Sequence, residues 1–237
     1  MPATTVAGNR NPRIVSPSGR QFRVIVRDTL GDFAVSLGHT NIARGVTALL
    51  PIRLNTPIDL SSVSFRLDLP KPQLDQLTLL PIAPELSSAT LRPSADGHYQ
   101  VDFIALPGSS LGGDRTIANL RFRAIPGADS AVQMLEISEL VGQRPDGTLT
   151  ASPSVSNGRV IIIGGQPYLE ATFSDGATRD LTVFGTPGVT YRIEATDRLE
   201  TNATWILRAT VPLTGSSGNI SVPSGTSDVE FFRARVQ

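Results

Sequence analysis

Val63-Ser64-Phe65-Arg66-Leu67-Asp68-Leu69 alternates apolar and polar side chains without a break. Successive side chains on an extended strand point to opposite faces, so this run buries one face and wets the other. Working outward, the same period returns at Phe22, Val24 and Val26 set against Arg23 and Arg27, and at Phe33, Val35 and Leu37. It returns again at Val46, Ala48, Leu50, Ile52 and Leu54. Further strands are expected at Tyr99–Leu106, Ile117–Ile125, Val132–Ile137 and Arg159–Ile163. Val160-Ile161-Ile162-Ile163 is apolar at every position, the pattern of a strand covered on both faces. Helical periodicity is almost absent. Leu74–Leu80 admits a single turn of helix, bracketed by Pro70, Pro72, Pro81 and Pro84. Many short strands separated by Gly and Pro turns specify an all-β sandwich.

Gly164-Gly165-Gln166-Pro167 interrupts this pattern, and a second set of strands follows. These are expected at Tyr168–Phe173, Arg179–Phe184, Val189–Ala195, Trp205–Val211, Gly218–Val222 and Val229–Val236. Six strands in so short a stretch suit a small immunoglobulin- or fibronectin-like sandwich. The organisation expected is therefore an extended arm over 1–19, a β-sandwich over 20–164 and a smaller β-sandwich over 166–237. The arm is rich in Pro, Gly, Asn and Ser, and the Phe22–Val26 strand after it is expected to dock along a sheet edge by strand addition.

Composition limits the function classes. Lys and Arg total 21 and Asp and Glu total 21, so no global basic field exists to hold a phosphate backbone. One Trp and three Tyr among 237 residues argue against a broad aromatic platform. Cysteine is absent, which excludes disulfides, thiolate metal sites and a Cys nucleophile. No apolar run approaches the roughly 20 residues that span a bilayer. The start, Met1-Pro2-Ala3-Thr4-Thr5-Val6, lacks the charged and apolar regions of a signal peptide, so an exported form would be a mature piece carrying an added Met.

Residues 31–163 resemble a cohesin-like module, a relative of several carbohydrate-binding sandwiches. The resemblance is carried by Val35-Ser36-Leu37-Gly38, Gly45-Val46-Thr47-Ala48-Leu49-Leu50-Pro51-Ile52-Arg53-Leu54 and Val63–Leu69. It continues through Ile117-Ala118-Asn119-Leu120-Arg121-Phe122-Arg123-Ala124 and Asn157-Gly158-Arg159-Val160-Ile161-Ile162-Ile163. This is hydrophobic framework. Cohesins bind dockerins through one sheet face, but no residue motif for that contact transfers. Residues 166–237 resemble a C-terminal module of large secreted proteins of environmental bacteria. Its marks are the Pro187-Gly188 turn, Tyr191-Arg192-Ile193-Glu194, Trp205 and the closing Phe231-Phe232-Arg233. The resemblances imply an extracellular or cell-surface setting and no reaction.

Several residues tempt a catalytic reading. Gly108-Ser109-Ser110-Leu111-Gly112 has the spacing of a nucleophile elbow, but no His follows His98 and no helix follows Ser110. His39 and His98 each adjoin a glycine and read as surface turn residues, without a second His at ligand spacing. Asp96-Gly97, Asp146-Gly147 and Asp175-Gly176 read as turns, and no EF-hand-like loop is present. A structural calcium stays open, with no ligands assigned. Glu136 and Glu139 stand three apart, which on a regular strand places them on opposite faces and denies them a glycosidase role. Trp205, within Trp205-Ile206-Leu207-Arg208-Ala209-Thr210-Val211, reads as the large anchor of a small core.

No catalytic, cofactor or metal residue is therefore assigned, and the chain reads as a non-enzyme. The expected function is extracellular binding or scaffolding, through a protein partner or self-association. Two alternatives stay in view: a carbohydrate-binding module pair from a polysaccharide-degrading enzyme, with a polysaccharide as ligand, and a surface-layer or filament subunit assembled through its N-terminal strand. Nucleic acid and membrane insertion are not expected.

Overall fold

The structure, a computed structural model, describes residues 13–15, 21–23, 32–69, 73–173, 178–223 and 229–237. Every regular element in them is a strand. Strands β1 (Arg13–Val15) and β2 (Gln21–Arg23) pair with each other in an antiparallel ladder of their own. At its described residues the Phe22–Val26 strand pairs with β1 and with no sheet edge of its own sandwich; docking on a neighbouring subunit, the other form of that expectation, involves a second chain. A hairpin partner a few residues away costs less chain entropy to recruit than a distant sheet edge. Val24 and Val26 lie outside the described residues.

The next eleven strands form two facing sheets. One has the order β12 (Pro153–Ser156), β3 (Phe33–Leu37), β5 (Thr47–Leu60), β10 (Leu111–Ala124) and β7 (Leu74–Pro81). The other runs β4 (His39–Ala43), β13 (Gly158–Ile163), β11 (Ala131–Gln143), β6 (Ser62–Asp68), β9 (Tyr99–Ala105) and β8 (Leu86–Pro93). Inward residues of both sheets interdigitate: Val63, Phe65 and Leu67 of β6 meet Phe33, Leu54, Phe103, Leu120 and Phe122 in a fully buried core. The chain passes from one sheet to the other at Gly38. Its early strands are clasped by late ones in parallel, β3 by β12 and β4 by β13.

Leu74–Leu80 is strand β7, not a turn of helix. Its prolines lie at or beyond the ends of a strand that pairs only with β10 on one side, where a missing N–H is tolerated. The expected runs at 117–125 and 132–137 extend to 111–124 and 131–143.

The remaining strands make two three-stranded sheets, β14 (Tyr168–Phe173), β15 (Thr178–Phe184), β18 (Ser217–Pro223) and β17 (Ile206–Pro212), β16 (Thr190–Thr196), β19 (Phe231–Val236). The sheet orders are β14-β15-β18 and β17-β16-β19. Leu181, Val183, Tyr191, Ile193, Val211, Leu213 and Val222 fill the space between them. The large ring of this core is Tyr191, not Trp205. The Tyr191 hydroxyl accepts a hydrogen bond from the Thr186 N–H at 2.9 Å, so its polar tip is satisfied. Gly185 makes room for it, since a Cβ there would lie 2.6 Å from the Tyr191 ring. Trp205 precedes β17, is half-buried, and stacks with its ring centroid 4.0 Å from the Arg233 guanidinium carbon.

The junction at Gly164 is packed. Its N–H donates to Ser130 Oγ at 2.8 Å, and a Cβ would lie 2.7 Å from the Ala128 carbonyl oxygen. This glycine serves close approach of two backbones. Beyond it, Phe184 and Tyr168 cover Ile161, Ile163 and Val132 on the outer face of the six-stranded sheet. Tyr168 and Phe184 rings stand 6.1 Å apart in a tilted pair. Asn41 Nδ2 donates to Ser216 Oγ at 2.9 Å, and Arg159 pairs with Glu170. This contact explains the all-apolar Val160–Ile163 run. Val160 and Ile162 enter the core of the first sheet pair, while Ile161 and Ile163 meet the second.

Candidate functional site

The covered face continues across β11, β6, β9 and β8, and there it is open and polar. Antiparallel register aligns the outward residues in rows across the strands. One row reads Ser88, Ile104, Ser62, Gln143; the next reads Thr90, Asp102, Ser64, Val141; the third reads Arg92, Gln100, Arg66, Ser138. Asp68 and Glu136 close the series. Each row exists because β6 and β9 keep period-2 alternation, with Val63, Phe65, Val101 and Phe103 turned inward, and β8 pairs in register with β9 from Ser88 onward.

Asp102 sits at the centre. It accepts hydrogen bonds from Ser64 Oγ at 2.8 Å, Thr90 Oγ1 at 3.3 Å and Gln100 Nε2 at 3.3 Å, and it pairs with Arg92. Burial raises its pKa, but the bonds from Arg92, Ser64 and Gln100 together outweigh that and hold the carboxyl below its usual range. Asp68 repeats the design at the other end. Arg66 Nε donates to it at 2.9 Å, Ser138 Oγ at 3.0 Å, and His98 Nδ1 contacts the same carboxylate. Here too burial opposes the shift, and the bonds from Arg66 and Ser138 prevail, so the carboxyl is held down. Carboxylates tied to arginines in this way are poor proton donors near neutral pH. The rows present fixed charges and hydroxyls, an arrangement suited to recognition.

Two exposed apolar side chains border the network. Ile104 is 48% exposed and Val141 42% exposed, in adjacent rows. Beside Ile104 lies a shallow depression of about 340 Å³ lined by Ser62, Ser64, Ser88, Thr90 and Asp102. A second open depression of about 610 Å³ adjoins it at the end of the sandwich and shares Ser62 and Ile104.

Ser110 lines that second depression, and its Oγ donates to Asp59 Oδ1 at 2.8 Å. Leu111 opens strand β10 directly after it, so the strand–turn–helix of a nucleophile elbow is not formed. His39 opens β4 and is exposed, while His98 is half-buried between Asp68 and Arg66 and so differs from the surface turn residue expected. The hairpin that carries it brings it over β6, a contact that local spacing does not disclose. Asp96-Gly97 and Asp146-Gly147 are turns; Asp175-Gly176 lies outside the described residues.

Glu136 and Glu139 do not point to opposite faces. A bulge between Ser138 and Val141, with φ of 52° at Glu139, breaks the parity of β11. Glu139 thereby reaches Arg66 at 3.5 Å on the same outer face as Glu136. Among the described residues no group of three or more His, Asp or Glu is placed to hold a metal ion.

The residues missed by sequence reasoning are Asp102, Ser64, Thr90, Arg92 and Ile104. Alternation could have placed Ser64, Asp102 and Ile104 on outward faces; their assembly needs the strand order.

No protein-family model matches the sequence, and no curated protein matches it. Solved cohesin structures are similar in chain path. The CaCohA2 cohesin of Clostridium acetobutylicum, in complex with CaDoc0917, aligns at 15% identity over 55% of this chain and 99% of its own, with a TM-score of 0.49. The sixth cohesin of Acetivibrio cellulolyticus scaffoldin B, in complex with a Cel5 dockerin, aligns at 18% identity over 55% of this chain and 98% of its own, with a TM-score of 0.49. The seventh ScaB type I cohesin of Pseudobacteroides cellulosolvens aligns at 17% identity over 60% and 98%, with a TM-score of 0.46. No helix among the described residues is long and apolar enough to cross a membrane.

Proposed function

We propose that this chain is a non-catalytic extracellular binding module, built as two units over 20–164 and 166–237, that docks a protein partner on the open half of its six-stranded face. The observation that carries the reading is the pairing of preset polar rows with the exposed Ile104 and Val141 on their border. Interfaces place a few desolvated apolar anchors within a ring of satisfied polar groups. The charged groups here are already oriented by their neighbours, so a partner meets a surface with little left to order. The cohesin-like framework of residues 31–163 makes a dockerin the partner class to test first.

Titration of the chain with a panel of dockerins is the experiment. At least one should bind, and Ile104→Arg should weaken that binding about tenfold or more, as loss of an apolar anchor does. Leu49→Arg, an exposed position on the other sheet, should leave it unchanged. Binding that ignores Ile104→Arg, or no binding across the panel, would refute the reading.

A further inference from the structure

On the outer face of the β17-β16-β19 sheet, one row carries two cations and no anion. Arg192 on the central strand β16 lies directly opposite Arg235 on β19, with Thr210 of β17 on the other flank. Both arginines are exposed. Directly opposed partners share a face, with Cβ atoms about 5 Å apart, and like charges there destabilise the sheet. Among the described residues neither makes an ion pair, whereas Arg53, Arg92, Arg123, Arg159, Arg208 and Arg233 each have a carboxylate partner.

The neighbouring row is built differently. Glu194 takes Arg233 at 2.7 Å, and Trp205 lies over that guanidinium. Leu207 completes this row opposite Glu194 and is 47% exposed. Two residues of strand separate the rows, about 7 Å. The face is thus a strip with an unpaired guanidinium pair at one end and an indole and a Leu side chain beside it.

We propose that this strip binds an acidic polysaccharide, a polymer of carboxylate-bearing sugars. One carboxylate takes the Arg192–Arg235 pair, since guanidinium forks match carboxylate geometry. The apolar ring face of an adjacent sugar rests against Trp205 and Leu207. An acidic peptide could meet the same arginines but brings no sugar ring to Trp205 and Leu207, and polyglutamate tests for it. Arg192 stands on a strand whose two edges are already occupied by β17 and β19, which leaves its side chain as the means of recognition. This site is separate from the partner face of the six-stranded sheet, and either can fail without the other.

Affinity electrophoresis and thermal shift of the full chain test it, with polygalacturonate as probe and dextran and polyglutamate as controls. Polygalacturonate should retard the protein and raise its Tm, dextran should do neither, and the effect should fade with salt. The double variant Arg192→Gln/Arg235→Gln should lose the retardation by about tenfold or more. Its Tm without polymer should equal or exceed that of the parent, because the like-charge repulsion is gone; this also shows that it folds. Arg121→Gln, a cation on the first sheet pair, should change nothing. Equal retardation of the double variant, equal action of dextran, or polyglutamate binding as strongly as polygalacturonate overturns the proposal. A Tm rise with inorganic sulfate but not with polygalacturonate overturns it too, leaving a simple anion site.

Discussion

The six-stranded sheet shows two outer surfaces on one scaffold. At its β13 and β11 end, outward Ile161, Ile163 and Val132 are covered by Phe184 and Tyr168 of the second sheet pair. At its β6, β9 and β8 end the outward residues stay open and bind one another, Ser64 and Thr90 to Asp102 and Arg66 to Asp68. Both halves keep the same inward core, so burial inside the sandwich does not distinguish them. The outward residues do. Apolar side chains at alternate positions require a second layer, and the second sheet pair supplies it; polar side chains whose bonds are met within the sheet require none.

The largest effect is expected where the layers meet. Ile163→Asp places an unpaired charge against Phe184 and should cost about 3 kcal/mol, by the penalty for burying a charge. Differential scanning calorimetry should show the second sheet pair melting apart from the first. An unchanged single transition would break the distinction between covered and open halves.

The covered half was the more legible of the two in the sequence. Val160–Ile163, apolar at every position, demanded cover on both faces, although nothing in it named Phe184 as the cover. The strands centred on Val35, Leu50 and Phe65 were equally plain. Strands β4, β8 and β12 were not, because Thr, Ser, Ala and Pro give weak alternation and their pairing partners lie far along the chain. The open half was legible only in part. Arg66 and Asp68 share a face by parity, but Asp102 meets Ser64 and Arg92 through strand order. The bulge at Glu139 has no Gly or Pro to announce it.

A smaller effect concerns Asp102. Asp102→Asn should cost about 2 kcal/mol at pH 7, the scale of hydrogen bonds to a charged group. The native pKa lies below the usual carboxylate range, so on acidification the unfolded chain takes up the proton first. Stability from Asp102 and Asp68 is therefore complete above about pH 5 and is lost as pH falls through 4 toward the native values. Urea midpoints from pH 7 to pH 3 should show the gap between parent and Asp102→Asn shrinking over that window. A constant gap would mean that the network does not depend on the charge.

The smallest effect lies at the bulge. Glu139→Gly should be stabilising by about 0.5 kcal/mol, relief of a positive φ partly offset by lost backbone restraint and by an exposed ion pair. Glu139→Val should cost about 1 kcal/mol, since a β-branched side chain fits that backbone poorly. Denaturant midpoints decide the order.

The chain has no cysteine, so single introduced thiols report surface exposure without background. Maleimide labelling of Ile161→Cys and Val141→Cys compares the two halves directly. Val141→Cys should label at close to the rate of the unfolded chain, and Ile161→Cys about a hundredfold more slowly, reacting only when the covering layer lifts. Equal rates at the two positions would contradict the account.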